Sequence, residues 1–299
     1  MTASQKACLE GAPCVSAIVV SYFTGPVLFR ALEALLQQSE LGEAVLVDNG
    51  NPPDVLESLH DRAQTDGRLR VISGHGNVGF AAGCNLGATA SSFPYLLFLN
   101  PDCELATDAL GLLVDAGQRL DPPWLLSGRL TNPDGSEQRG SRRADLTPRT
   151  MVVEGLRLDR LMPGRFGDCR LNLHEGAAQG ALSQVPVISG ACMFLSKKDF
   201  DHIGGWDEAF FLHVEDIDFC RRFRESGGRI YHLSSALIHH QGSSSQAPAA
   251  KVEWHKTQGF FKYLNKHFSQ DLSFFSMSLL KAMIMARFFV RSVWFSLRK

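Results

Sequence analysis

Four short runs rich in β-branched and apolar residues recur through the first hundred positions, each followed by a polar or glycine-rich turn. Val15 to Tyr22 is the first, Glu43 to Val47 the second, Arg68 to Ser73 the third and Tyr95 to Leu99 the fourth. Runs of this length and composition read as strands buried on both faces, the pattern of a parallel sheet. Between them the apolar spacing is helical. Leu28, Leu32, Leu35 and Leu36 share one side of Val27 to Gln38, which Thr24-Gly25-Pro26 opens; Pro53 to Asp66 and Phe80 to Ser91 complete the set. Strands alternating with helices predict a right-handed, wound α/β sheet. In such sheets ligands bind beyond the carboxyl ends of the strands. Ser21-Tyr22, Asp48-Asn49 and Asn100-Pro101-Asp102 all fall at those ends.

The acids among them point to chemistry. An acid ending a buried strand can hold a divalent cation against a diphosphate, and a second cluster brought near by folding can deprotonate a nucleophile. Glu215-Asp216-Ile217-Asp218, downstream of Gly204-Gly205-Trp206-Asp207, is such a cluster. Simpler roles exist for both. Asn-Pro-Asp is also a turn sequence, and the Glu215 cluster could be a solvated helix face paired with Arg221 and Arg222. Asp216 meets the requirement that a base sit on a different segment from the metal acid, and its neighbours Glu215 and Asp218 predict a raised pKa for it.

Gly74-His75-Gly76-Asn77-Val78-Gly79 matches a dinucleotide-binding fingerprint. It follows the third strand rather than the first, and hydride transfer would leave Asp48, Asp102 and the Glu215 cluster without a role. The glycines still suit a tight turn and close backbone approach to a phosphate or base.

A net charge of −1 excludes a global electrostatic case for nucleic-acid binding. The seven cysteines show no C-x-x-C spacing, which argues against zinc and dithiol sites and fits a reducing compartment. Met1 to Pro13 lacks the basic flank and apolar core of a secretory signal and reads as a loose lead-in. Between Arg129 and Arg170, nine arginines face six acids, predicting loops and short helices that either cover the sheet edge as a solvated insertion or bind an anionic acceptor. Val185 to Leu195 returns to strand composition, Lys197 to Ile203 and Val214 to Gly227 read as helices, and Arg229 to Leu233 and Ala236 to His240 as strands. Phe274 to Phe295 is nearly all apolar, broken by Lys281, Arg287 and Arg291, with Arg298 and Lys299 beyond. The basic residues fall within an arc of roughly 120° on a helical wheel. They argue against a spanning helix and for one lying in a bilayer interface with its basic residues on an anionic membrane surface, or packed on the domain or a second subunit.

Taken in order, these segments resemble glycosyltransferase family 2, in its bacterial rhamnosyltransferase-like branch. The matching pieces are Ile18-Val19-Val20-Ser21-Tyr22, Val47-Asp48-Asn49-Gly50, Asn77 to Gly87, Leu99 to Asp102, Ile188 to Met193, Gly204 to Phe211, Glu215 to Arg222 and His239-His240. The resemblance implies an A-type glycosyltransferase fold: a Rossmann-like nucleotide-sugar half over residues 15–128 and an acceptor half over 129–245. A lead-in over 1–14 precedes it, and a helical, membrane-associating tail over 246–299 follows. It implies inverting transfer of a sugar, rhamnose favoured, from a nucleotide-diphosphate donor such as dTDP-rhamnose to a lipid-linked or polysaccharide acceptor, with Mg²⁺ or Mn²⁺. Carried over by position, Ser21, Tyr22, Asp48, Asn77, Gly79 and Asn85 lie on the nucleotide side. Asn100 stands at the first acid of the family's D-x-D, and Asp102 at its metal-binding acid. Asp216 matches the base. Trp206 and Asp207 match a sugar or acceptor contact, with Glu215 on the acceptor side. His239 resembles a late histidine that completes the metal shell, and His240 is its rival. The setting implied is bacterial surface-glycan (O-antigen, lipopolysaccharide) synthesis on the cytoplasmic face of the membrane, with a possible oligomer through the tail. A nucleotidyltransferase and a non-catalytic glycan-assembly partner are the alternatives. The first would need a basic glycine-rich loop, which Ser21-Tyr22-Phe23-Thr24-Gly25 lacks. The second should have lost Asp102 or Asp216, and both are present.

Overall fold

The computed structural model describes residues 12–174, 181–242 and 248–297. Most of the predicted lead-in, most of the Ser-rich loop at 242–248, and Arg298 and Lys299 lie outside them. The chain opens β1 (Val15–Ser21), α1 (Val27–Leu36), β2 (Leu41–Asp48), α2 (Pro53–Thr65), β3 (Leu69–Ile72), α3 (Phe80–Ala90) and β4 (Tyr95–Leu99). These match the alternation read from the sequence to within about two residues at each end. There follow β5 (Cys103–Leu105), α4 (Ala109–Gln118), β6 (Trp124–Thr131) and β7 (Arg142–Arg143). Next come the short helices α5 (Pro148–Gly155), α6 (Leu158–Leu161) and α7 (Pro163–Phe166). The rest comprises β8 (Leu182–Gln184), β9 (Val187–Ile188), β10 (Cys192–Ser196), α8 (Lys197–His202), α9 (Glu215–Glu225), β11 (Arg229–His240), α10 (Ala249–Phe268) and α11 (Phe274–Leu297).

The main sheet runs β3-β2-β1-β4-β10-β6-β11-β5, with β8 beside β11. β1 to β4 are mutually parallel, and β10 is antiparallel to both β4 and β6. β6 therefore runs with β4, and β11 runs parallel to β6. The carboxyl ends of β1, β2, β4, β6 and β11 thus share one edge with the start of β10. Strand alternation divides the core in two. Val15, Ala17, Val19, Leu97 and Leu99 face α1, α2 and α4 through Leu28, Leu32, Leu59, Leu110 and Leu113. Ile18, Val20, Leu96 and Phe98 face the other layer, where Ala81, Phe200, Trp206, Phe219 and Tyr263 pack. The small residues of α3 have a steric cause: a Cβ at Gly87 would come within 2.4 Å of Ile18, and one at Gly83 within 2.9 Å of Val20. The helix lies directly on β1, and its amino terminus is held at the functional edge.

Three elements differ from expectation. The segment predicted as two strands, Arg229 to Leu233 and Ala236 to His240, is one strand with a register shift between Leu233 and Leu237. Val185 to Leu195 is two strands split at Ser189-Gly190-Ala191. β6 occupies the start of the arginine-rich stretch and is central to the sheet rather than part of a covering loop. Cys84, Cys103, Cys169, Cys192 and Cys220 are free and buried, whereas Cys14 is disulfide-bonded, a pairing that the reading of dispersed thiols did not anticipate.

Candidate active site

Asp48 ends β2 and is buried. Its Oδ1 accepts from the backbone N–H of Gly50 (3.3 Å) and Asn51 (2.9 Å) and from Asn51 Nδ2 (2.6 Å), which fixes the carboxylate at the strand end. Ser21 serves the same turn: its hydroxyl is buried and meets Thr24 Oγ1 at 2.9 Å and Asn51. Tyr22, half-buried, packs edge-on against Phe23 and lies 3.5 Å from where a Cβ on Gly50 would stand. Asn77 Oδ1 accepts from Gly79 N at 3.0 Å. Gly79 has φ +87°, and a Cβ there would sit 2.7 Å from the carbonyl oxygen of Phe211. Only glycine allows the turn before α3 and the loop before Glu215 to meet this closely. Phe80 N donates to that same carbonyl at 2.9 Å.

Asn100-Pro101-Asp102 follows β4, and Asn100 N donates to Ala191 O at 2.9 Å. Asp102 is buried, and its Oδ1 lies 3.2 Å from His240 Nε2. Strand register dictates this meeting. His240 pairs with Cys103 across β5 and β11, whereas His239 pairs with Glu104 and with Thr131. Neighbouring residues of a strand point to opposite faces. His239 accordingly bonds Thr131 Oγ1 through Nδ1 at 2.9 Å. The histidine beside Asp102 is therefore His240, the rival, and not the expected His239. His240 Nδ1 meets Gln138 Oε1, which leaves Nε2 turned toward Asp102. Asp102, Cys103 and His240 place ligand atoms within 4.8 Å of one another. Burial pushes the Cys103 thiol well up, as does the nearby Asp102. A protonated thiol is a poor ligand for hard cations. A carboxylate oxygen and an imidazole nitrogen remain, a donor set that fits Mn²⁺ or Mg²⁺.

The acid cluster sits at the amino terminus of α9, presented by a strained turn: His213 and Val214 hold φ +68° and +73° in succession. Strain of this kind persists only where surrounding packing enforces it. Here α10 does so, since a Cβ on Gly259 would sit 2.8 Å from His213 O. Asp216 Oδ2 accepts from Gly190 N at 3.1 Å and from Arg143 Nη2, and Oδ1 accepts from Ile217 N at 2.8 Å. This joins the helix to the start of β10, at the edge that carries Asp102. The predicted upward shift of Asp216 is reversed. Burial acts upward, but the Arg143 charge and hydrogen bond outweigh it and hold the carboxyl below its usual range. Glu215 takes the upward shift instead. It is buried beside Asp216 and pushed up to about 8, with Oε2 lacking a partner among the described residues. Asp218 is fully buried and points away, ion-paired to Arg222 (2.7 Å) and Lys266 (2.9 Å) and hydrogen-bonded to His267 Nε2 (2.7 Å).

Three residues expected to touch ligands are otherwise engaged. Trp206 is 2% exposed and stacks on Phe219 at 4.6 Å between ring centroids. It is a core residue. Asn85 donates to Trp206 O and Glu208 Oε1 and accepts from Trp206 N, each at 2.9 Å, so it pegs the Gly204–Asp207 turn to α3. Asp207 pairs with Lys266 at 2.6 Å and accepts from Ala209 N. Arg143 and His213 are the site residues that sequence reading missed. Arg143 was visible only as one of nine arginines.

The family model for glycosyl transferase family 2 matches residues 16–204. The chain belongs to glycosyltransferase family 2. It is 25% identical over 279 residues, 84% of either chain, to an N-acetylglucosaminyl-diphospho-decaprenol L-rhamnosyltransferase of Mycobacterium tuberculosis. It is 28% identical over 253 residues to the O-antigen biosynthesis protein RfbC of Myxococcus xanthus, covering 81% of this chain and 18% of that one. Among solved structures, GalNAc-T7 with UDP, GalNAc and Mn²⁺ superposes with a TM-score of 0.61 at 16% identity, covering 92% of this chain and 55% of that one. The mannosyltransferase PcManGT from Pyrobaculum calidifontis, with GDP-Man and Mn²⁺, gives 0.55 at 14% identity, covering 93% and 70%. The fold is the A-type glycosyltransferase fold, and the protein is a glycosyltransferase.

Proposed function

We propose that this family 2 enzyme transfers a sugar, rhamnose favoured, with inversion from a nucleotide-diphosphate donor to a lipid-linked saccharide, in bacterial surface-glycan synthesis. One observation carries the reading: a single sheet edge gathers Asp48, the Asp102–His240 pair and Asp216, the last on a separate element. Asp48, with Tyr22, Asn77 and Gly79 around it, would receive the nucleoside, and Asn100 would lie beside the diphosphate. Asp102 and His240 would hold Mn²⁺ or Mg²⁺, which neutralises charge on the leaving diphosphate. Asp216 would accept the proton of the acceptor hydroxyl; its lowered pKa keeps it ionised, and its pairing with Arg143 must loosen for the transfer. Glu215, raised to about 8, stays neutral beside it near pH 7 and does not compete for the role. The Mycobacterium relative, whose name specifies a diphospho-decaprenol acceptor, supports a lipid-linked acceptor here.

The tail supports a membrane surface as the meeting place. No helix among the described residues is long and apolar enough to cross a membrane. On α11, Phe274, Phe275, Leu279, Phe289 and Val290 are 60–83% exposed. Leu280 and Ile284 face inward, whereas Arg287 and Arg291 stay partly exposed while pairing with Glu253 at 3.4 and 3.1 Å. Their pairing with Glu253 leaves less of their charge for an anionic surface. An outward apolar face would sit in the interface and attach chiefly by burial.

The test is a thermal-shift panel of dTDP-, UDP- and GDP-sugars, with Mn²⁺ or EDTA. At a ligand concentration of 100 Kd, stabilisation is about 2.7 kcal/mol. dTDP-rhamnose with Mn²⁺ should raise Tm by several degrees, His240→Gln should lose the metal-dependent part, and His239→Gln should retain it. A shift that EDTA leaves intact overturns the metal assignment, and no shift with any nucleotide sugar overturns the donor.

A further inference from the structure

Arg143 is spent in an unusual way. It sits on β7, pairs with Asp216 and donates to Ile188 O at 3.3 Å, yet its buried Nε has no partner among the described residues. A base tied to a guanidinium is a poor proton acceptor, because the pair must be broken before the carboxylate can bind a hydroxyl. Something has to draw Arg143 away, and a second observation indicates what. Lys256, on α10, makes no hydrogen bond or ion pair among the described residues. The charges acting on it are Arg287, Glu253, Arg291 and Arg143, and burial together with these cations lowers it to about 8. Lys256 and Arg143 in turn act on Glu215 and on His213. One neighbourhood thus holds Arg143, Lys256, Arg287 and Arg291 against the carboxylates Asp216 and Glu253, since Glu215 and His213 are neutral near pH 7. Among these residues the cations outnumber the carboxylates, and Lys256 and the Arg143 Nε are the groups left without a partner among the described residues. A sugar-linked diphosphate diester carries about two negative charges, and arginine binds such oxygens in bidentate fashion. The cluster also adjoins α11, whose opposite face is exposed and apolar. Charge and apolar surface therefore stand in the order of a lipid-linked sugar: sugar at the base, diphosphate at the cations, chain along the helix.

We propose that Arg143 and Lys256, with Arg287 and Arg291 beside them, receive the diphosphate of the acceptor, and that Arg143 leaves Asp216 for this anion as the acceptor arrives. The proposal rests on the transferase reading above and adds a substrate-dependent release of the base. Arg143 is a positioning residue in this scheme. Without the anion the base stays paired, which disfavours transfer to water and protects the donor from hydrolysis.

The experiment uses the full chain, saturating donor and Mn²⁺, and two acceptors sharing one sugar and one alkyl chain. One joins them through a diphosphate, the other through a neutral ether. The wild-type enzyme should prefer the diphosphate acceptor by about 100-fold or more in kcat/KM. Arg143→Met should cut that preference to below about tenfold, mainly through KM of the diphosphate acceptor, and raise donor hydrolysis. Lys256→Met should erode the preference in the same direction without raising hydrolysis, and covers the case in which the Arg143 variant does not fold. Arg143→Lys should recover part of the preference. A purely structural role would depress both acceptors equally, and that result, or a wild-type enzyme using both acceptors equally well, overturns the proposal. A wild-type enzyme that uses neither acceptor contradicts the transferase reading itself, a separate outcome.

Discussion

Asp218→Asn should loosen the C-terminal helices from the catalytic sheet. The carboxylate is fully buried on α9, and its ion pairs and hydrogen bonds reach Lys266 and His267 on α10 and Arg222 one turn along. Burial alone would raise its pKa. The hydrogen bonds from His267, Lys266 and Arg222, with the Arg222 charge, lower it to about 2 against a reference of 3.8. That difference corresponds to roughly 2.5 kcal/mol of native-state stability when the group is ionised. Because the folded pKa is depressed, this stability is present in full above pH 4 and is lost as pH falls through 2. Asparagine removes it at every pH and leaves the Arg222 and Lys266 cations without their shared anion. The loss at pH 7 should be about 2–4 kcal/mol, near the lower limit for breaking a buried pair because Lys266 keeps Asp207. Urea melts of wild type and variant at pH 7, 4 and 3 measure it. The gap in stability should hold between pH 7 and 4 and shrink by about half at pH 3. A variant as stable as wild type at pH 7, or a gap that does not narrow between pH 4 and 3, refutes the assignment of this carboxylate as the ionised clamp.

Two further outcomes follow from the site and the tail. Gly79→Ala should destabilise by about 1–3 kcal/mol and weaken donor binding and turnover together, because its Cβ would strike Phe211 at a backbone φ that alanine resists; wild-type stability and kinetics in that variant would contradict the close approach. Phe274→Ser with Phe275→Ser should reduce flotation with liposomes at least tenfold, each exposed ring contributing about 1.5–3 kcal/mol when buried, whereas 0.5 M salt should have a smaller effect; release by salt alone would restore the basic-face reading.

The strand ends were legible because a parallel sheet buried on both faces writes its strands as continuous apolar runs. Ser21, Asp48 and Asp102 stood out where those runs stop. The glycines of α3 were legible as a motif and acquired a cause only from the contact with Ile18 and Val20. What failed depended on register and on distant partners. His239 and His240 differ by one residue, and a one-residue step in a strand exchanges its faces. The shift between Leu233 and Leu237 sets that phase, and only its location, near Ser234-Ser235, showed in the sequence as a break between two strands. The raised pKa expected for Asp216 counted neighbours in sequence, while Arg143 arrives from 73 residues away. Trp206 matches a motif whose position carries over but whose side chain faces the core. The basic stripe expected on α11 did not reveal that Arg287 and Arg291 pair with Glu253 on α10, a partner distant in sequence.

Separating donor binding from turnover at Asp216 tests the central claim most directly. With Mn²⁺, a nucleotide-sugar donor and a diphosphate-linked acceptor, Asp216→Asn should bind donor with an affinity within a few-fold of wild type, yet form product about 10²–10⁴-fold more slowly. Product formed by the wild-type enzyme should carry the anomeric configuration opposite to the donor's, read by NMR. Turnover of Asp216→Asn within tenfold of wild type, with Glu215→Gln carrying the large loss instead, would contradict the account.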